Sequence, residues 1–334
     1  TTRRPGHRRP RWRPASRGAP RCRVADHGVT RAAPPRTFLD LPFAAVPHSG
    51  AADVVVLGAP HATPYRPGEA SHAAEAPAAL RAALGGYRAT TDAFDFDHEA
   101  ALLGGADVVD TGDVAGDLVD GAANREAIRA AVGEILAAGA VPLVLGGDDS
   151  VPIPVLDAFA ATPLTIVQID AHIDWRDEVD GERFGFSSTM RRASEMTHVA
   201  AIVQVGARGP GSARTEDVET ARLWGADLVT AREVHRAGVS SVLDRIPRER
   251  PIYLAVDVDG LDPGLNPGVL LPAFGGLGYT QMIELIHGLE TRAPIAGASF
   301  VEYVPAADPD GRGAQATARL ATNAIAAVAR QRRR

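Results

Sequence analysis

From about Phe38 onward, short apolar runs alternate with Ala-rich stretches along the chain. The runs lie at Asp53–Leu57, Asp107–Asp110, Val141–Leu145, Leu164–Ile169, Ile202–Val205, Ile252–Val256 and Ile295–Val301. They are apolar at consecutive rather than alternate positions, which is how strands covered on both faces of a parallel sheet read. The stretch before Val141 has the other period: Ile128, Val132, Ile135 and Leu136 fall on one helical face, and Gly139 closes it. The pattern predicts an α/β fold in three layers, α/β/α, with a mainly parallel central sheet. No internal repeat is visible.

In open parallel sheets ligands bind beyond the carboxyl ends of the strands, so the polar signals to weigh are those that follow strands. Three do. Gly146-Gly147-Asp148-Asp149-Ser150 follows one run, Asp170-Ala171-His172-Ile173-Asp174 the next, and Asp257-Val258-Asp259-Gly260-Leu261-Asp262-Pro263 a third. Taken alone, the first is explained by a glycine turn and an Asp helix cap. The other two are harder to explain as caps. Carboxylates gathered at one rim repel each other unless protons or cations neutralise them. A histidine among them favours Mn, Fe, Co, Ni or Zn over Ca or Mg, and two metals sharing carboxylates polarise a water between them into a nucleophile.

Charge divides the 334 residues. Residues 1–37 carry eleven Arg against Asp26, a local charge of +10, which leaves −16 in the remainder and −6 overall. That Arg- and Pro-rich segment lacks apolar periodicity and is expected to be disordered, with one domain over residues 38–330. An arm binding nucleic acid or an anionic surface, or an organelle transit segment, has the same composition. A simple extension is the preferred reading, and no nucleic-acid partner is expected. All 35 basic residues are arginine, which excludes lysine Schiff-base and P-loop chemistry. Cys22 is the single cysteine, so no intrachain disulfide forms and a cytoplasmic setting is expected. The longest apolar run, Ile135–Leu145, contains Pro142 and is too short to span a bilayer, so no membrane helix is expected.

The order Gly-Gly-Asp-Asp-Ser, Asp-Ala-His-x-Asp and Asp-x-Asp-x-x-Asp-Pro resembles the ureohydrolase (arginase and agmatinase) family over residues 53–328. Gly58-Ala59-Pro60, Tyr65–Gly68, Asp110-Thr111-Gly112-Asp113, Gly206-Ala207-Arg208, Pro272–Leu277, and Glu302 with Pro305 add to the resemblance. It implies an arginase-like fold and two Mn2+ per chain, with Ni, Co or Zn as other divalent choices. Asp170 and Asp257 would bridge the metals, Asp149 and Asp174 would complete the first site, and His172 with Asp259 the second. Asp174 would also act catalytically, holding the attacking water as a guanidino compound is cleaved to urea and an amine. Trp175, Phe186, Ser187, Gln281 and Glu302 are the candidate substrate contacts, and a homo-oligomer, trimer or hexamer, is implied.

Three positions depart from that pattern. Asp149 stands where the family supplies a histidine, so five carboxylates and one imidazole face two divalent cations, leaving about −1 and a less acidic bound water. Phe186 stands where agmatinases carry a histidine. Leu270-Leu271-Pro272-Ala273-Phe274-Gly275-Gly276 replaces a more polar run, and Gln281 replaces an acid of the arginases. The more apolar pocket argues against arginine and toward a decarboxylated or smaller guanidino compound such as agmatine. A guanidinobutyrase, a guanidine or formiminoglutamate hydrolase, and a non-catalytic ligand-binding relative remain as alternatives. Trp175 reads equally as pocket wall or core aromatic. His61 and His72 flank the loop Thr63–Gly68 and read as structural or surface residues.

Overall fold

A computed structural model describes residues 31–45, 50, 52–85, 92–211, 213–248 and 250–334. Residues 1–30 of the segment expected to be disordered, with Cys22, lie outside the described residues. The last part of that segment is described: Arg31–Ala32 forms strand β1, and the Arg31 guanidinium reaches Glu134 at 2.7 Å. The expected boundary at residue 37 therefore falls after the first strand rather than before it.

The remaining strands are β2 (Val54–Ala59), the short pair β3 (Phe94–Asp95) and β4 (Ala100–Ala101), β5 (Val108–Val114), β6 (Val141–Gly146), β7 (Leu164–Ile169), β8 (Val199–Ala207), β9 (Asp227–Thr230), β10 (Ile252–Asp257) and β11 (Ile295–Val301). Each apolar run of the sequence is one of these strands; β9, half-buried and only four residues long, carried no such signal. Nine strands form one sheet in the order β1-β5-β2-β6-β11-β10-β7-β8-β9, and every pair in it is parallel except β1 with β5.

Strands β2, β6, β7 and β10 are buried at every position. Because successive side chains point to opposite faces, each strand feeds two cores. Val54, Val56, Leu143, Leu145, Val167, Ile169, Leu254 and Val256 join one, while Val55, Leu57, Val144, Ile166, Tyr253 and Ala255 join the other. The first is covered by α1 (Ala76–Ala83), α6 (Ala231–Ala237), α8 (Tyr279–Arg292) and the long Ala-rich α9 (Arg312–Arg333), and the short α7 (Ser240–Leu243) packs on α8. The second is covered by α2 (Gly121–Ala137), α3 (Pro152–Asp157), α4 (Thr189–Ser194) and α5 (Thr215–Trp224). The three layers anticipated from the sequence are present.

Helix α2 shows why the boundaries fall where they do. Asp120 caps its amino end through a bond from the Ala123 amide, Ile128, Val132 and Ile135 are its buried stripe, and Gly139 leaves it with φ 82°. Among the described residues no helix is long and apolar enough to cross a membrane.

Register places the acidic segments together. Val256 pairs with Ile169 and with Phe300, and Phe300 with Leu145, so Asp170, Asp257 and Val301 emerge at one level from neighbouring strands at the sheet centre. Two glycines permit this approach. A Cβ at Gly260 would lie 2.7 Å from the Asp170 nitrogen, and one at Gly206, whose φ is 115°, 2.6 Å from the Asp170 carbonyl oxygen.

Candidate metal centre

The loops after β6, β7, β10 and β11 enclose a cavity of about 230 Å³. Asp149, His172, Asp174, Asp257, Asp259 and Glu302 line it. Two overlapping groups of donor atoms lie within 4.8 Å of one another: Asp149, Asp170 and Asp174 form one, and Asp170, His172 and Asp259 the other. Asp170 belongs to both. Asp257 belongs to neither group but faces the same cavity.

Fixed hydrogen bonds hold Asp170, Asp174, Asp257 and Asp259. Asp170 accepts from the His172 amide at 2.5 Å and from Gln168 Nε2 at 2.6 Å, and the same Gln168 nitrogen donates to Asp174 at 3.0 Å. Gln168 is itself oriented by Gln204, which donates to its carbonyl oxygen and to Ile173 O at 2.7 Å. Asp257 accepts from the Asp259 amide and Asp259 from the Ala171 amide, at 2.8 and 3.0 Å. His172 Nδ1 lies 2.9 Å from Asp259 Oδ2 and 3.4 Å from Asp170 Oδ1. The two aspartates of the glycine turn divide their work. Asp148 accepts from the amide and hydroxyl of Ser150 and shapes the turn, whereas Asp149 Oδ2 is buried without a hydrogen-bond partner.

The electrostatics follow from that crowding. Burial raises Asp149 and Asp174 well above the ordinary carboxylate range, and the charge of Asp170 adds to both. Burial, with Asp259 next, does the same to Asp257. Burial also opposes ionisation of Asp170, but its bonds to His172 outweigh it and Asp170 stays below the usual range. For His172, burial disfavours the charge, yet Asp170 and Asp259 prevail and push it up to about 11. The pattern is one of too much negative charge in a buried space, with a proton on His172 offsetting part of it.

The candidate substrate contacts divide. Trp175, Phe186, Ser187 and Glu302 line the cavity. Trp175 is both wall and core, since it is 2% exposed and packs edge-on against Trp224 at 6.1 Å. Gln281 does not reach the cavity: it occupies the first turn of α8, where its side-chain oxygen accepts from the Gly278 amide at 3.0 Å. The acid-to-Gln replacement therefore reports on a helix start, not on the pocket.

Several contributors carried little signal. Gln168 is buried in β7 and reads as one polar interruption of an apolar run. His72 precedes α1, yet its Nε2 bonds Glu302 Oε2 and its ring packs edge-on against Phe186 at 5.3 Å. Tyr65 packs edge-on against the same phenyl at 4.6 Å and accepts from the Ser187 amide at 3.0 Å. The other Glu302 oxygen accepts from the Asp149 amide at 2.8 Å. The motif Asp110-Thr-Gly-Asp113 lies away from this cavity: both acids bind the buried Arg81.

The sequence model of the Arginase family matches residues 52–329. The proclavaminate amidinohydrolase of Streptomyces clavuligerus is 31% identical over 86% of this chain and 91% of its own length. The mitochondrial agmatinase of Gallus gallus is 33% identical over 70% of this chain and 68% of that protein. The solved structure of the Streptomyces clavuligerus enzyme superposes with a TM-score of 0.78 at 29% identity, covering 90% of this chain and 98% of that one.

Proposed function

The chain belongs to the arginase family of hydrolases acting on guanidino C–N bonds, and we propose that it cleaves a small guanidino compound to urea and an amine at a two-cation centre. The observation that carries this reading is Asp170, shared by two donor groups that otherwise differ in every member. The donor set fits two cations: the orphaned Asp149 Oδ2 lacks any other partner, and the raised carboxylates need positive charge to ionise. In the proposal Asp149, Asp170 and Asp174 would hold one cation and Asp170, His172 and Asp259 the other, with Asp257, which faces the same cavity, as a further ligand. Five carboxylates and one imidazole suit Mn2+, with Ni, Co and Zn as the other divalent choices.

When bound, the cations supply Lewis acidity that lowers the pKa of water and stabilises charge developing at the attacked carbon. The protein's own groups do the rest. Gln168 fixes the spacing of Asp170 and Asp174. Asp174, whose backbone is held at φ 44° with its carbonyl bonded to the Arg191 amide at 3.1 Å, would in this proposal hold the attacking water by a hydrogen bond. Glu302 would in this proposal accept from the substrate guanidinium in addition to its bonds to His72 and the Asp149 amide, and Trp175, Phe186 and Ser187, which line the cavity, would form the substrate-facing wall. We further propose a homo-oligomer, trimer or hexamer, as the family resemblance implies.

The test is urea release after Mn2+ loading, across agmatine, 4-guanidinobutyrate, 3-guanidinopropionate, arginine and free guanidine. Release from any of them supports the proposal. A loaded, folded protein inert to all would instead favour a ligand-binding relative.

A further inference from the structure

Two side chains at the cavity are used by nothing described so far. Arg176 and Asp217 both line it, with Arg176 Nε 3.3 Å from Asp217 Oδ2. The pair is not symmetric in what it offers a ligand. Asp217 is buried, with 8% exposure, and its Oδ2 also accepts the Arg214 amide at 3.0 Å in the capping box that starts α5. The Arg176 side chain is 28% exposed, and only its Nε edge faces Asp217. Its backbone is anchored, the amide donating to Ser187 O at 3.0 Å. The cavity therefore meets a guanidinium held from behind by an acid already committed to a helix.

We infer that Arg176 is the specificity-determining residue for the far end of the substrate, and that this end is a carboxylate: the substrate class is a short guanidino acid rather than a guanidino amine. The inference rests on the hydrolytic reading above and sharpens it. A guanidinium presenting free N–H groups pairs with a carboxylate in a fork geometry and repels an ammonium. Arg176 follows Asp174 by two residues, so their Cα atoms lie no more than about 7 Å apart. In the proposal a short run of methylenes joins the two charged ends. Leu270 and Leu271, 48% and 63% exposed, line the same cavity and give those methylenes an apolar surface. The expectation of an agmatine-like substrate drew on the same leucines; Arg176 opposes the ammonium such a substrate carries.

The experiment compares 4-guanidinobutyrate with agmatine on the Mn-loaded wild type, Arg176→Gln and Arg176→Lys, by urea release and by calorimetric binding. The wild type should prefer the acid. In Arg176→Gln the KM and Kd for the acid should rise roughly ten- to hundredfold with kcat little changed, as expected for losing a charge-assisted pair. Arg176→Lys should recover part of the loss, and agmatine should be handled by Arg176→Gln as well as or better than by the wild type. A wild type that binds and turns over agmatine in preference to the acid would overturn the inference, as would equal losses for both ligands. If no urea forms but the wild type binds the acid over the amine through Arg176, the hydrolytic reading fails and this inference stands.

Discussion

His72 and Glu302, 230 residues apart in sequence, share a hydrogen bond that turns a loop histidine into a support of the candidate site. Glu302 stands at φ 65°, uses one oxygen on His72 and the other on the Asp149 amide, and so couples the loop before α1 to the donor set. The His72 ring also packs on Phe186, the position at which the family resemblance leads one to expect a histidine. An imidazole thus lies beside that phenyl but bonds Glu302 from behind.

His72→Phe keeps a ring against Phe186 and removes the bond to Glu302. We expect kcat/KM for the best guanidino substrate to fall about tenfold or more, the scale of a hydrogen bond to a charged group. The melting temperature should also fall, because the buried Glu302 oxygen loses its partner, so the kinetics are read on the folded fraction. Unaltered kinetics would show that Glu302 is positioned without His72.

Asp149→His should bind metal at least as well as the wild type and retain equal or higher activity. It removes one carboxylate from a buried cluster in which Asp170 already opposes ionisation of Asp149. The metal-free variant should melt higher than the metal-free wild type. Complete loss of metal and activity in a folded variant would mean that the site is built around the carboxylate.

The stability of the metal-free protein should fall as pH rises, and bound metal should remove that dependence. Asp149, Asp174, Asp257 and His172 all have folded pKa values raised above their unfolded ones. Each then contributes stability that is full below the unfolded value, about 4 for Asp and about 6.5 for His, and is lost as pH rises toward the folded value. The chelator-treated protein should melt progressively lower between about pH 6 and 9. Cations replace those protons, so the gap between loaded and metal-free melting curves should widen over the same window. A constant gap would count against these groups as the ligands.

Arg81→Met should destabilise the fold by about 3–5 kcal/mol in urea unfolding, since it strands the fully buried Asp110, which Arg81 meets at 2.8 and 3.0 Å. Metal content of the folded fraction should be unchanged, because Asp110 and Asp113 lie outside the donor set.

The legible parts of the site were those in which chemistry and strand ends coincide. Asp170, His172, Asp174, Asp257 and Asp259 follow apolar runs directly, and parallel register brings such segments to one rim whatever the intervening sequence. Gln168 was hidden because a single polar residue in a buried strand looks like noise until its two carboxylate partners are seen. His72 and Arg176 were hidden for a different reason: their roles depend on contacts across 230 and 41 residues, to Glu302 and Asp217, which no local pattern encodes. Gln281 misled because a substitution in sequence has no direction in space, and helix α8 turns it away from the cavity.

The most direct test of the two-cation centre is the metal count per folded chain in wild type and Asp170→Asn after identical Mn2+ loading and desalting, with circular dichroism to confirm folding. Because Asp170 is the one residue common to both donor groups, two cations per wild-type chain should fall to one or fewer in the variant. A wild type that retains no metal, or an Asp170→Asn chain that still holds two, would contradict the account.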